Sequence, residues 1–425
     1  MARSDPFLER MNRRRFIRLS GLAGVTGATG LAGCSQSLLQ NDNEGSGSIS
    51  VGVVLPFSGD LSDFGEPMMN GLQLALSDIN DAGGPLGREI ELHQADSETN
   101  PTTGVTAANS LTNNQDIKCL IGAVSSSVTI SMATSVTVPK NVVHITSASS
   151  SPAISTLDDN DLLFRTRLSD QFSARAMAKI ISNEGADKAA VLYLNNDFGE
   201  ALSSAFNETF GGTTTARVGY EAGQSSYQQT LSKVFEDDPD FVAFAGYPES
   251  GTTILSQWHE GGYGGQWMLH NSMLSTDVID NVGADVMEGM WGVRTKPPTS
   301  EATGSFTSDY ESEYPDAQLF SPYSWNSYDA LMSYALAVHH AGTTDPSTVK
   351  QSLHTIATPP GDSVSYAEFE SGKTKIDNGT KIDYSGPSGN VDYDENGDVS
   401  SDMVAVRVQN GEFTNADTIP AEDLQ

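Results

Sequence analysis

Apolar residues along this chain fall into two kinds of pattern. Short apolar runs at 49–55 (ISVGVVL), 90–92, 119–121, 142–145, 189–193, 218–222, 241–245, 267–270, 290–294 and 404–408 predict strands. Between them, apolar residues recur at helical spacing over 66–81, 102–113, 128–138, 171–184, 199–210, 227–235, 251–260 and 327–341. In the first of these, Met68, Leu72, Ala75, Leu76 and Ile79 share one face, and Pro67 suits the first turn. Gly83-Gly84-Pro85-Leu86-Gly87 ends it. Regular alternation of strand and helix predicts an α/β fold with parallel sheets covered on both faces. The pattern runs through twice, the second half beginning after Arg165-Thr166-Arg167.

The stretch 117–152 is the centre of the pattern. The buried-looking runs 119–121 and 142–145 each lead into serines: Ser125, Ser126 and Ser127 after the first, Ser147, Ser149, Ser150 and Ser151 after the second. In parallel sheets such positions lie at the carboxyl ends of strands, where small ligands bind and helix N-termini present free N–H groups. Hydroxyls beside those amides form a seat for a carboxylate. Serines also cap helices and fill turns without any ligand.

Charge changes the picture next. The 425 residues carry 23 basic and 55 acidic side chains, a formal −32, with 37% hydrophobic residues. Such a balance argues against nucleic acid or an anionic membrane surface as partner. The acids are spread through the chain, as in Glu236-Asp237-Asp238, which suits a surface adapted to high salt. The N-terminus is the exception. Asn12-Arg13-Arg14-Arg15-Phe16-Ile17-Arg18 resembles a twin-arginine export signal, and Leu31-Ala32-Gly33-Cys34 resembles a lipobox with Cys34 as the acylated residue. Residues 1–33 hold six arginines and two acids, so their removal takes the formal charge from −32 to −36. Residues 34–48 read as a flexible tether. The second of two cysteines, Cys119, lies in an apolar run and is expected to be a buried thiol.

Leu55-Pro56-Phe57-Ser58-Gly59, Asp78-Ile79-Asn80-Asp81-Ala82-Gly83-Gly84-Pro85-Leu86-Gly87-Arg88, Ile121-Gly122-Ala123-Val124-Ser125-Ser126-Ser127, Asn196-Asp197-Phe198-Gly199 and Tyr328-Asp329-Ala330 occur in the order of a known family. The chain resembles extracellular solute-binding proteins of branched-chain amino-acid ABC importers, over about 49–408. The resemblance implies a type I periplasmic-binding fold: two doubly wound parallel-sheet lobes joined by a three-crossover hinge. Lobe 1 is expected from 49–167 with about 295–385, lobe 2 from 168–294 with about 386–415, and a tail from 416–425. It also implies a monomeric binding protein at the outer face of the membrane. Its partners would be a small-molecule ligand and ABC permease subunits with cytoplasmic ATPases, with lipid as its only membrane contact. A ligand sensor on the same fold is the alternative.

Carried over residue by residue, the resemblance places Ser126 and Ser150 at the ligand carboxylate, with Ser149 nearby. Phe64 would cover the ligand from the first lobe, and Phe198 and Tyr247 from the second. Asp170 would lie in the first connection. Asn271 stands where the family has an acid that meets the ligand ammonium. A neutral amide cannot replace that charge, which admits amides, urea-like solutes or carboxylates beside branched-chain amino acids.

Enzyme chemistry finds little support. Gly-x-Ser-x-Gly is absent, and Gly372-Lys373-Thr374 has Ala367 where a phosphate loop needs its first glycine. His259-Glu260 lacks a second histidine at metal spacing, and His339-His340 falls inside a predicted helix. Asp392, Asp394, Asn396 and Asp398 mimic a calcium loop, but Met403 occupies its last position, so an Asn-Gly hairpin turn is expected. No catalytic residue, metal or cofactor is therefore expected.

Overall fold

The computed structural model describes residues 47–317 and 323–424. The expected export signal, Cys34 and most of the expected tether lie outside the described residues. The first sheet has five parallel strands in the order β2-β1-β3-β4-β5. They are β1 (Ile49–Leu55), β2 (Ile90–Asp96), β3 (Cys119–Gly122), β4 (Val143–Thr146) and β5 (Leu163–Arg165). β3 and β4 are buried throughout, as parallel strands covered by helices on both faces are, and β4 buries His144 and Thr146 beside its two apolar residues. Cys119 is buried and free, and burial pushes its thiol pKa well up.

The second sheet begins with β6 (Lys188–Leu194), β7 (Thr213–Tyr220), β8 (Phe241–Ala245), β9 (Gln266–Leu269) and β10 (Trp291–Thr295), again parallel. A small sheet, β11 (Asp362–Val364), β12 (Ile382–Gly386) and β13 (Gly389–Asn390), packs through helices Tyr323–Ala341 and Pro346–Ala357 with the first lobe. β14 (Met403–Gln409) then joins β10 antiparallel, and β15 (Glu412–Ile419) joins β14 antiparallel. The chain therefore passes between the two large sheets three times, at 166–169, 296–300 and 391–402. These are the three crossovers of a two-lobed α/β fold.

The Asn-x-x-Gly-Gly-x-x-Gly-Arg segment has a local cause. Asn80 Nδ2 donates to the Ile90 carbonyl at 2.9 Å, and Asn80 Oδ1 accepts the Ile90 N–H at 2.8 Å. One side chain thereby fixes where β2 begins. Gly84 has φ 66°, and a Cβ there would lie 1.7 Å from the Arg88 carbonyl oxygen, so only glycine fits. Helix Gly65–Asp81 packs across the long helix Tyr323–Ala341, with Gly71 against the Ser324 backbone, where a Cβ would lie 2.3 Å from its oxygen.

Several elements differ from the sequence expectation. Helices Glu301–Glu313, Pro346–Ala357 and Phe369–Asp377 were not predicted, and the last absorbs Gly372-Lys373-Thr374. The expected strand at 218–222 lies earlier, as β7. Of the expected tail 416–425, the described residues to 424 are not free: β15 runs to Ile419, and Leu424 is buried with its carbonyl accepting from Arg175. The Asp392–Asp398 region makes a turn but joins no hairpin strands. It folds around Asp394, whose Oδ1 accepts the N–H groups of Asn396 and Asp398 at 2.8 and 3.0 Å. This delivers Asp398 to Arg165 in a buried ion pair, with Arg165 Nη2 to Asp398 Oδ2 at 2.7 Å. Among the described residues only Asp170, Asp329 and Asp398 are buried acids, so nearly all the negative charge is on the surface.

Candidate functional site

Between the carboxyl ends of the two large sheets lies a pocket with walls from both lobes. Leu61, Phe64, Val124, Ser126, Ala148, Ser150 and Tyr323 line it from the first lobe. Phe198, Tyr247, His270 and Ser272 line it from the second.

The second-lobe wall is built on helix starts. Asn196 caps helix Asp197–Thr209, its Oδ1 accepting the Gly199 N–H at 3.0 Å, which sets Phe198 in the first turn. Asn196 Nδ2 also donates to Tyr247 Oη at 3.4 Å. Tyr247 precedes helix Pro248–Gly261, and its ring stacks on Phe198 with centroids 5.6 Å apart and planes at 13°. In the first lobe Phe64 meets the Tyr323 ring edge-on at 5.0 Å. Burial pushes the pKa of both Tyr247 and Tyr323 up, so both phenols stay neutral.

The polar floor is a connected network. Ser150 Oγ donates to Asp170 Oδ2 at 2.6 Å, and His270 Nε2 lies 2.8 Å from Asp170 Oδ1. Ser272 donates its backbone N–H to His270 Nδ1 at 3.1 Å, which makes Nε2 the protonated nitrogen that donates to Asp170. Ser173 Oγ adds a third donor at 3.0 Å. Burial drives the Asp170 pKa up, but the His270 N–H, the Arg167 charge and the Ser150 hydroxyl together hold it below the usual carboxylate value. Ser126, opening helix Ser126–Met132, is 2% exposed, and its Oγ accepts the Ser151 N–H at 3.2 Å.

Five of the eight expected ligand residues line the pocket: Phe64, Ser126, Ser150, Phe198 and Tyr247. Three do not. Ser149 points into the lobe, pairing with Thr129 Oγ1 at 2.7 Å and donating to the Ala123 and Val124 carbonyls. Asp170 is fully buried behind Ser150 and His270. Asn271 donates from Nδ2 to Tyr323 Oη at 3.0 Å, so it supports the wall and does not form it. Sequence reasoning missed His270, Ser272, Tyr323, Leu61, Val124 and Ala148. His270, directly after β9, was the readable signal, because the first residue past a strand tip faces the cleft.

The lips of the cleft also meet. Asp197 N–H donates to Ser127 Oγ at 3.2 Å, and Ser151 Oγ donates to the Asp197 carbonyl at 2.9 Å. Chemically the pocket offers hydroxyls and one imidazole at its floor, aromatic and aliphatic walls, and no lining carboxylate. Among the described residues no group of acidic, histidine or cysteine side chains is arranged to hold a metal ion. No described helix is long and apolar enough to cross a membrane.

Comparison with known proteins places this geometry. A sequence profile described as periplasmic binding protein matches residues 48–412. The chain is 28% identical over 352 residues to the chemotactic signal transduction system substrate-binding protein BasB of Halobacterium salinarum, covering 81% of this chain and 83% of that one. It is 27% identical over 326 residues to the leucine-, isoleucine-, valine-, threonine- and alanine-binding protein of Pseudomonas aeruginosa, covering 74% and 84%. The crystal structure of leucine binding protein LivK from Thermotoga maritima superposes with a TM-score of 0.74 at 23% identity, covering 88% of this chain and 99% of that one.

Proposed function

Because this chain belongs to the periplasmic binding protein family, we propose that it captures a branched-chain amino acid or a related small carboxylate between its lobes and delivers it to an ABC permease. The observation that carries this is the pocket itself, which joins hydroxyls at one end to apolar walls contributed by both lobes. Ser126, whose Oγ only accepts from the Ser151 N–H, seats the carboxylate with its free O–H, while the Ser150 hydroxyl gives its proton to Asp170 and meets the ligand as an acceptor. Phe64, Phe198, Tyr247 and Tyr323 enclose the side chain, whose burial supplies most of the affinity. No carboxylate lines the pocket, and both Asp170 oxygens are engaged, so an ammonium meets Asp170 only as a charge one layer behind Ser150. The similarity to BasB favours a second reading, in which the same captured ligand is presented to a signalling partner. Capture without chemical conversion is common to both readings. In either case we place the protein outside the membrane, exported by the twin-arginine signal at 12–18 and anchored through lipid on Cys34.

Calorimetric titration with leucine, 4-methylpentanoate and leucinamide tests the ligand class. Binding of leucine or 4-methylpentanoate, with leucinamide weaker, supports the proposal. The ratio of the first two measures what the ammonium contributes. Leucinamide binding as tightly as leucine, or no binding by any of the three, overturns it.

A further inference from the structure

A second cavity lies at the hinge; it shares no lining residue with the cleft pocket, and its Arg167 sits 5.3 Å over the ring of Tyr323 in the cleft wall. It has a volume of about 290 Å³ and is bordered by all three crossovers: Thr166, Arg167 and Leu168 from the first, Lys296, Pro297, Pro298 and Thr299 from the second, and Val399, Ser400 and Ser401 from the third. Its lining contains Arg167, Arg294 and Lys296 and no aspartate or glutamate. In a chain with 55 acidic and 23 basic residues, three cations without an acid in one cavity is a local inversion of the charge.

The cations are incompletely paired. Arg167 is 2% exposed; its Nη1 donates to Thr295 Oγ1 at 3.0 Å, and its Nε has no partner. Arg294 donates from Nη2 to the neutral Asn415 Oδ1 at 2.6 Å, has no carboxylate partner among the described residues, and also leaves Nε unpartnered. Trp325, which lines the same cavity, has an unpartnered indole N–H. Lys296 is balanced by Asp402 at 3.0 Å near the surface, and Arg167 feels the charge of Asp170. Arg294 has no such compensation, and burial lowers its pKa. Buried donors left unpaired are destabilising, and a desolvated guanidinium more so. An anion in the cavity removes that penalty.

We propose that this hinge cavity is a second ligand site, for a small organic carboxylate held by Arg294 and Arg167. Arginine pairs with carboxylates through parallel N–H donors. Leu168, Pro297, Pro298 and Val399 give the cavity an apolar side that an inorganic ion does not use. A ligand there touches every connection between the lobes, so it stiffens the hinge that closes the cleft.

The test is calorimetric titration of the full chain with succinate and, separately, inorganic phosphate, in wild type, Arg294→Gln, Lys296→Gln and Ser126→Ala. Saturable one-to-one succinate binding is expected, weakened about tenfold or more by Arg294→Gln and unchanged by Ser126→Ala. Lys296→Gln alters only a half-exposed side chain and keeps the test open if Arg294→Gln does not fold; it is expected to weaken binding about threefold by the loss of one nearby charge. Hydrogen exchange at 166–168 and 296–299 should slow when succinate is added. Absence of saturable binding, binding that both hinge variants leave intact, or binding lost with Ser126→Ala alone overturns the site. Phosphate binding more tightly than succinate overturns the organic assignment, and unchanged exchange overturns the stiffening.

Discussion

Ser150, at the tip of a first-lobe strand, donates its hydroxyl to Asp170, the first residue of a second-lobe helix, at 2.6 Å. The ligand seat is thereby tied to the hinge through one hydrogen bond, and a change at either residue reaches the other. Asp170→Asn should lower both the melting temperature and ligand affinity, because an amide cannot accept from Ser150, Ser173 and His270 together. The folded-state pKa of Asp170 lies below its ordinary 3.8. Its contribution to stability is therefore fully present above 3.8 and disappears as pH falls through the lower folded value. Melting temperature measured against pH should fall less steeply on the acid side in Asp170→Asn than in wild type. Equal acid slopes would show that this carboxylate is not what acid titrates.

The two neighbouring serines should separate affinity from stability. Ser126→Ala removes a pocket hydroxyl and should weaken binding about tenfold to a hundredfold, the equivalent of about 1–3 kcal/mol. It also leaves the Ser151 N–H unpaired, so a small drop in melting temperature accompanies it. Ser149→Ala breaks bonds to Thr129 and two backbone carbonyls inside the lobe, and should lower the melting temperature while leaving Kd within about twofold. Calorimetry and thermal melts on both variants decide this; a reversed pattern would exchange the roles assigned to them.

Asp398→Ala should be the most damaging single change outside the cores. It strands Arg165, whose side chain is fully buried, without its counter-charge. Loss of one member of a buried pair typically costs about 3–5 kcal/mol. Chemical denaturation should show a loss of that size, whereas a loss under about 1 kcal/mol would mean that water reaches the guanidinium.

Surface charge predicts a dependence on salt. With the acids almost all on the surface, low ionic strength leaves their mutual repulsion unscreened. Circular dichroism on dilution from molar to low salt should show unfolding or a markedly lower melting temperature. An identical cooperative melt at both extremes would refute adaptation to high salt.

Cys34→Ser tests the anchor. The variant should be released from the membrane or remain unprocessed, read by fractionation and intact mass. Unchanged retention together with unchanged mass would remove the lipid assignment. A single acyl chain holds only marginally, so retention is best measured with the permease absent as well as present.

The alternation of apolar runs and helical stretches carried most of the fold, because strands such as Ile49–Leu55 are buried on both faces and leave no ambiguity of period. Helix Glu301–Glu313 escaped because few of its residues are buried and its apolar pattern is faint. At the site, the serine clusters located the pocket but not which hydroxyl faces it. In a tight turn after β4, Ser149 and Ser150 point to opposite sides, and only the three-dimensional path separates them. Tyr323 was missed because the helix was predicted to begin at Ser327, four residues late. His270 and Asn271 were confused by one position: the strand ends at Leu269, so the cleft-facing residue is the histidine.

The fastening of the cleft at Asp197 has a consequence for the environments in which this protein can work. Both bonds there join a serine hydroxyl to a backbone group, and neither partner bears a formal charge. Mobile ions screen charge pairs but leave such dipolar contacts largely untouched. Closing the mouth should then be as favourable in concentrated brine as in dilute buffer, whatever salt the body of the molecule needs to stay folded. A mouth fastened by lysine and glutamate would instead loosen as the salt around it rose.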